Sequence, residues 1–118
     1  MLRSVCYLLT WALLSHCNLG IESKAVGYAS FYADLFHGKM TASGEIYDST
    51  LFTAAHRELP FGKWVIVRRR DNGRSVKVKI NDRGPFNMNR NIDLSKAAAK
   101  ELQMIEEGVI AVELEILK

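Results

Sequence analysis

The stretch WVIVRRRDNGRSVKVKIN, residues 64–81, decides the fold. Its two halves, 64–70 and 75–81, are rich in β-branched residues and flank the turn sequence Asp71-Asn72-Gly73. Asn-Gly supplies the positive φ angles of a tight turn, so the stretch predicts a β-hairpin. Apolar and polar residues alternate in the second half, which predicts one buried and one hydrated face. The buried face holds Val76, Val78 and Ile80, and the hydrated face holds Lys77, Lys79 and Asn81.

Weaker strand and helix patterns on both sides of the hairpin predict a mainly β chain. Residues 26–32 and 109–117 read as a first and a closing strand, and residues 90–93 as a short extended piece. Ser95 is expected to cap a helix over 95–102, because three alanines follow it without a breaker. Short strands with one short helix favour a small barrel, because closure removes the exposed edges of an open sheet.

Residues 33–49 have neither helical nor strand periodicity and are predicted to form a long loop. Long loops inside a compact domain are usually functional. Glu45 in this loop is therefore a candidate second carboxylate or acceptor for ligand hydroxyl groups. The alternative is a solvated loop acid.

The first 17 residues are typical of a secretory signal. Arg3 supplies a positive charge, residues 5–14 are almost entirely apolar, and small or polar residues follow. The apolar run is about half of the roughly 20 residues that a transmembrane helix needs; a buried N-terminal helix is the alternative. We expect an exported chain with a signal at 1–17, a polar tether at 18–25 and one domain at 26–118.

Both cysteines, Cys6 and Cys17, lie in or beside this leader, so the domain is expected to contain no internal disulfide. Leu14-Ser15-His16-Cys17 resembles a bacterial lipobox, in which the cysteine receives lipid. His16 departs from that pattern, which has a small residue before the cysteine. Two destinations therefore stay open, the periplasm or cell envelope at large and the outer membrane through lipid on Cys17.

Basic residues are concentrated in the middle of the chain. Ten Lys or Arg accompany three acids between residues 57 and 90, whereas the whole chain has a formal net charge of +3. Such a segment suits a polyanionic or carboxylate-bearing partner, and solvated strand faces are the alternative. Nucleic acid is a further hypothesis, but the predicted export and the lack of a nucleic-acid-binding motif argue against it.

Asp82, in the segment Asn81-Asp82-Arg83-Gly84-Pro85, is the strongest candidate for chemistry. It shares the parity of the buried positions of the second hairpin strand, and Gly84-Pro85 ends that strand, so Asp82 is expected at the barrel rim. A carboxyl group there loses hydration, which favours its protonated form and suits a general acid. The alternative is a turn residue that accepts backbone N–H bonds.

The remaining polar candidates carry weaker signals. His56 follows an apolar stretch and could bind ligand or orient a carboxylate, but a lone histidine is more often a structural residue. His37, His56, Glu45 and Asp82 include no pair with metal-ligand spacing, so no metal is expected. We find no Ser or Cys nucleophile motif and no phosphate-binding glycine loop.

Seven segments stand in order along the chain: GYASFY (27–32), FHGK (36–39), TASGE (41–45), TAAH (53–56), LPFG (59–62), NDRGPF (81–86) and IDLS with AAA (92–95 and 97–99). In order and spacing they resemble the rare lipoprotein A (RlpA) family, whose domain is a double-psi β-barrel. The resemblance implies a mainly β, six-stranded barrel of that type with one short helix.

The same resemblance implies a lytic transglycosylase that cuts the MurNAc–GlcNAc β-1,4 bond of peptidoglycan without water and leaves a 1,6-anhydro ring. It implies catalytic roles for Asp82, Glu45 and His56, with Asp82 acting as acid and then base. Asp93 and Ser95 are interpreted as structural residues of the strand-to-helix joint. The substrate-binding residues that we expect are Tyr32, His37, Thr41, Ser43 and Arg83.

The expected protein needs no cofactor, works as a monomer in the cell envelope and has peptidoglycan glycan strands as its partner. Barrels of the expansin type bind polysaccharide without cutting it, so the fold alone does not establish catalysis. A non-catalytic, glycan-binding barrel is therefore the alternative function.

Overall fold

The computed structural model describes residues 20–118. The predicted leader, with Cys6 and Cys17, lies outside this region. Within it the chain forms six strands, one α-helix and a 3-10 turn at Asp34–Phe36. The strands are β1 (Ile21–Phe31), β2 (Thr53–His56), β3 (Trp64–Arg69), β4 (Ser75–Asp82), β5 (Ile92–Leu94) and β6 (Ile110–Leu117), and the helix is α1 (Lys96–Glu101).

The six strands close into a barrel in the order β1-β5-β2-β4-β3-β6. β1 runs parallel to β5 and β2 runs parallel to β4, and the other neighbours are antiparallel. The expectation of a small, mainly β barrel with one short helix is confirmed. Closure leaves each of the six strands paired on both sides, so the sheet has no free edge.

The barrel interior is filled by the apolar residues that alternate along the strands. Val76, Val78 and Ile80 are all buried, as the pattern in β4 predicts. Helix α1 adds Ala98 and Ala99 to the same core. Their small side chains let the helix pack closely against the strands. No helix in residues 20–118 is long and apolar enough to cross a membrane.

The ends of the hairpin and of the helix are fixed by polar contacts. Ser95 is the predicted N-cap, and its Oγ accepts a hydrogen bond from Ala98 N at 3.3 Å. In the hairpin turn only Gly73 has a positive φ, of 77°, so the expectation that both Asn72 and Gly73 supply such angles is wrong. Asn72 instead uses its side chain to accept a bond from Arg74 N at 2.9 Å.

Three expectations about the strands are corrected. Residues 21–25 belong to β1 rather than to a tether, because Ile21 and Lys24–Ala25 pair with β6 through backbone hydrogen bonds that need no apolar periodicity. Asn81 is buried rather than hydrated, with 3% of its surface exposed. The pairing of β2 with β4 shifts register between Ala54 and Ala55, so alternation ends before Asn81. Asp82 therefore pairs with Ala55 and lies on the opposite face from Ile80, which pairs with Ala54, so the expectation that Asp82 shares the buried face of β4 is wrong.

Candidate active site

Three neighbouring strands bring two carboxyl groups to one place. Ala55 of β2 is paired with Asp82 of β4 on one side and with Asp93 of β5 on the other. Residues paired across strands project to the same face, so the two carboxyl groups flank the methyl group of Ala55. Asp93 is also paired with Ser30 of β1. We call Ser30, Asp93, Ala55 and Asp82 the carboxyl row.

The carboxyl row opens into a cavity of about 530 Å³, which we call the carboxyl cavity. Asp82, Asp93 and Ala55 all line it. The end of β1 and the following loop contribute apolar and aromatic residues, and so does the segment after β4. These lining residues include Tyr32, Phe36, Met40, Pro85 and Phe86. Polar side chains line the cavity as well, among them Arg83 and Arg90, so the cavity can both pack against a ligand and form hydrogen bonds with it.

Asp82 is held in one orientation by three hydrogen-bond donors. Its Oδ1 accepts from the backbone N–H groups of Ala42, at 2.8 Å, and Arg83, at 2.9 Å. Its Oδ2 accepts from the hydroxyl of Tyr32. The interpretation of Asp82 as an acceptor for backbone N–H groups is therefore correct, but the same carboxyl group also lines an open cavity. The two interpretations do not exclude each other.

Tyr32 connects the loop wall of the cavity to Asp82. Its ring stacks on Tyr47 with 4.4 Å between the ring centres and meets Phe36 edge-on at 5.9 Å. Burial and, after it, the hydrogen bond to Asp82 hold the pKa of Tyr32 well above its ordinary value. Tyr32 therefore stays protonated at neutral pH and donates to Asp82.

Asp93 has a different environment from that of Asp82. Its one hydrogen bond within residues 20–118 comes from the hydroxyl of Ser30, at 3.1 Å to Oδ1. Burial raises the pKa of Asp93, opposed by the Ser30 bond and the charge of Arg90, and the charge of Asp82 raises it further. The sequence pattern alone favours a structural role for Asp93. Its position between two apolar residues of a strand, Ile92 and Leu94, was the available signal.

Glu45 lies beside the carboxyl cavity rather than in it. Its carboxylate is half exposed and lies 3.8 Å from Lys79 Nζ. It lines a second groove of about 470 Å³, together with Phe52 and Trp64. The backbone N–H of Ser43 donates to the carbonyl of Asn81 at 3.3 Å, so the segment that carries Glu45 lies against the end of β4.

Thr41 and Ser43 hold that segment in a tight turn. The hydroxyl of Thr41 donates to the carbonyl of Glu45 at 2.7 Å and lies 2.9 Å from the hydroxyl of Ser43. Thr41 is buried. Its contacts are thus with the turn itself, and they place Ala42 N where it donates to Asp82.

The two histidines singled out from the sequence are held by backbone amides. Nδ1 of His56 accepts from Glu58 N and Leu59 N, both at 3.1 Å. Burial lowers the pKa of His56, so the ring is neutral. Nδ1 of His37 accepts from Ser49 N at 3.0 Å. Neither ring lines the carboxyl cavity, and residues 20–118 contain no cluster of three metal-ligating side chains.

Arg83 lines the carboxyl cavity and is anchored by its own contacts. Its Nη1 donates to the carbonyls of Leu59, at 2.8 Å, and His56, at 3.2 Å. Its guanidinium lies 4.1 Å from the ring centre of Phe61. These contacts fix a positive charge at the cavity wall next to Asp82 and join that wall to the turn that carries His56.

The closed barrel and its cavity together define a double-psi β-barrel protein with two carboxyl groups in a surface cleft. Residues 24–114 match the family described as lytic transglycolase, and the chain belongs to that family. The resemblance to the RlpA family noted in the sequence is confirmed.

Two relatives show the extent of the match. The probable endolytic peptidoglycan transglycosylase RlpA of Treponema pallidum is 58% identical over 86 residues, which cover 73% of this chain and 27% of that protein. The endolytic peptidoglycan transglycosylase RlpA of Neisseria meningitidis serogroup A is 49% identical over 98 residues, covering 83% and 41%. The chain therefore spans less than half the length of these relatives.

Solved structures share the barrel at lower identity. The Streptomyces papain inhibitor has a TM-score of 0.67 and 26% identity, and the match covers 83% of this chain and 97% of that one. The apo expansin of Clavibacter michiganensis has a TM-score of 0.65 and 19% identity over 81% of this chain and 51% of that one. The second likeness concerns the fold alone.

Proposed function

We propose that this barrel is a lytic transglycosylase that cleaves the MurNAc–GlcNAc β-1,4 bond of peptidoglycan and leaves a 1,6-anhydro-muramoyl end. The observation that carries the proposal is the carboxyl group of Asp82, held in one orientation at the wall of an open cavity. The relatives named as endolytic peptidoglycan transglycosylases support the choice of substrate.

The reaction requires one proton donor and one proton acceptor near the scissile bond. In its simplest form, Asp82 protonates the glycosidic oxygen, and the bond to C1 of the muramoyl sugar breaks as an oxocarbenium-like state forms. The C6 hydroxyl oxygen then attacks C1, and Asp82 takes its proton. The nucleophile belongs to the substrate, so a bound water is not needed. The hydrogen bond from Tyr32 fixes the direction in which Asp82 points.

The other predicted site residues are proposed to bind the strand around this centre. Tyr32 and Arg83 line the carboxyl cavity and can contact the sugar that is cut. Glu45 lines the neighbouring groove, where it can accept hydrogen bonds from sugar hydroxyls. Three residues act mainly through the loop and turn positions that they hold. These are His37, Thr41 and Ser43.

His56 is proposed to act by positioning. Its neutral ring organises the turn 56–59, whose carbonyls hold Arg83 at the cavity wall. This assigns His56 an indirect effect on the site instead of a contact with the reacting atoms. Loss of its ring acceptor should loosen Arg83 before it changes Asp82.

A peptidoglycan substrate places the protein outside the cytoplasmic membrane. We therefore propose export through a signal at 1–17, and attachment to the outer membrane if Cys17 receives lipid. The protein is proposed to act as a monomer. Incorporation of labelled palmitate by the wild type but not by Cys17→Ala would identify the lipid anchor.

Peptidoglycan digestion tests the proposed reaction. The purified protein is incubated with intact and peptide-stripped sacculi, and the soluble products are analysed by mass spectrometry. We expect anhydro-muramoyl products from the wild type and none from Asp82→Asn. Asp34→Asn is the matched control, because Asp34 is an exposed acid of the adjacent loop that pairs with Lys96 at 3.3 Å.

The alternative outcomes point to other functions. Protein that pellets with sacculi but releases nothing would support a non-catalytic glycan-binding barrel. Reducing ends without the anhydro mass would show hydrolysis, and activity retained in Asp82→Asn would remove Asp82 from the chemistry.

A further inference from the structure

The carboxyl row places two acids on opposite sides of one small residue. Neighbouring strands lie about 4.8 Å apart, so the Cα atoms of Asp82 and Asp93, one strand apart on either side of β2, are about 10 Å from each other. Only the methyl group of Ala55 lies between them in the row. Both acids line the same cavity, so a sugar in the cavity can contact both.

The hydrogen-bond partners of the two acids are not equivalent. Asp82 faces three donors, two amides and the Tyr32 hydroxyl, which is the hydrogen-bonding pattern of a carboxylate. Asp93 is partly buried and accepts a single bond, from Ser30. A protonated Asp93 keeps that bond through one oxygen and leaves its own O–H free to donate. Burial without a full set of donors favours the neutral acid.

We propose that the two acids divide the proton transfers, with Asp93 as the proton donor and Asp82 as the proton acceptor. This inference rests on the proposed function and replaces the single-acid form of its mechanism. It makes Asp93 a catalytic residue rather than a structural residue of the strand-to-helix joint.

The steps balance without a further reactant. Asp93 gives its proton to the glycosidic oxygen, the C1–O bond breaks with its electron pair on that oxygen, and the GlcNAc side leaves with a hydroxyl group. The C6 oxygen of the muramoyl sugar bonds to C1 and loses its proton to Asp82. One proton has then moved from Asp93 to Asp82. Exchange with solvent after product release restores the starting state.

A substrate with a better leaving group tests this division. Nitrophenolate leaves without protonation, so a muramoyl disaccharide with a nitrophenyl group at C1 does not require the acid. On peptidoglycan we expect Asp93→Asn to lose about 100- to 10,000-fold in rate, the usual contribution of a general acid. On the nitrophenyl substrate we expect Asp93→Asn to recover most of the wild-type rate and Asp82→Asn to remain impaired. Asp34→Asn serves again as the control.

The pH dependence of stability checks the protonation state independently. Because the pKa of Asp93 is raised in the fold, the folded protein holds this proton to higher pH than the unfolded chain does. The associated stability is present below the unfolded value of about 3.9 and is lost as pH rises through the folded value. Asp93→Asn should therefore melt at a higher temperature than the wild type at neutral pH, and this advantage should vanish in acid.

The outcomes separate the inference from the function on which it rests. If the wild type releases no anhydro-muramoyl product, the proposed function fails. If the wild type is active and Asp93→Asn is equally active, the inference is wrong. Two further results would also overturn it: an Asp93→Asn variant that the nitrophenyl substrate does not rescue, and one that melts below the wild type at neutral pH.

Discussion

Replacing Tyr32 with Phe removes one hydroxyl group from the site and little else. The Phe ring can keep the stack on Tyr47, at 4.4 Å, and the edge contact with Phe36, at 5.9 Å. The hydrogen bond to Oδ2 of Asp82 is lost, while the bonds from Ala42 N and Arg83 N to Oδ1 remain. The carboxyl group of Asp82 would then be less restricted, because only its Oδ1 would still accept hydrogen bonds.

The size of the effect follows from the kind of bond that is removed. A hydrogen bond to a charged group contributes about 1.5–3 kcal/mol. If that energy holds Asp82 in its reactive orientation, the rate should fall by about 10- to 150-fold, because each 1.36 kcal/mol is a factor of ten. The free energy of unfolding should decrease by no more than about 3 kcal/mol, since the ring packing is unchanged.

The assay is the initial rate of anhydro-muramoyl release from sacculi, with unfolding in urea measured on the same samples. Tyr47→Phe is the matched control, because the Tyr47 hydroxyl accepts a bond from Lys96 N at 3.1 Å and does not contact Asp82. It should lose about 1 kcal/mol of stability and keep its activity. Equal rates for Tyr32→Phe and wild type would refute the orienting role of Tyr32, as would equal losses in the two variants.

Three further predictions concern the fold around the site. Gly27→Ala should destabilise the barrel by about 1–3 kcal/mol in urea unfolding. The new Cβ would lie 2.0 Å from Asn91 Oδ1, which accepts the hydrogen bond from Tyr28 N. An unchanged urea midpoint would contradict this. Arg69→Met should cost about 1–3 kcal/mol by the same measurement, because the buried guanidinium donates to the carbonyl groups after α1 and to two acids. An unchanged free energy of unfolding would show that these bonds do not stabilise the barrel. Burial lowers the pKa of His56, so the stability that the neutral ring contributes should be complete above about pH 6.5 and decline as pH falls. The melting temperature of His56→Asn should therefore fall less steeply with pH than that of the wild type. Equal slopes of melting temperature against pH would exclude His56 as the cause.

Local patterns were sufficient to predict much of the barrel. Alternation over 75–80 identifies the buried side of β4, because side-chain direction in a regular strand follows from position alone. The Ser95 cap and the turn around Gly73 are similarly local, since each depends on residues within a few positions. These features need no knowledge of which strands are neighbours.

Features that depend on contacts between strands far apart in the sequence could not be predicted from local patterns. The environment of Asp93 is set by β1 and β2, and its partner Ser30 is 63 residues away in the chain. The burial of Asn81 depends on a register shift against β2. The separation of Glu45 from the carboxyl cavity likewise depends on how the long loop lies against β4. Residue type identified Asp82 and Glu45 as candidates, but only the strand order shows which acid is the neighbour of Asp82.

Cleavage in water enriched in the heavy oxygen isotope tests the central claim most directly. When the C6 hydroxyl of the sugar is the nucleophile, the new muramoyl ends contain only substrate oxygen. Their mass should then be the same in ordinary water and in the oxygen-labelled water. Incorporation of one heavy oxygen per cut would show that water attacks C1. Two carboxyl groups on either side of a cavity also suit a hydrolase, so that result would contradict the transglycosylase account while leaving the barrel and its carboxyl row unchanged.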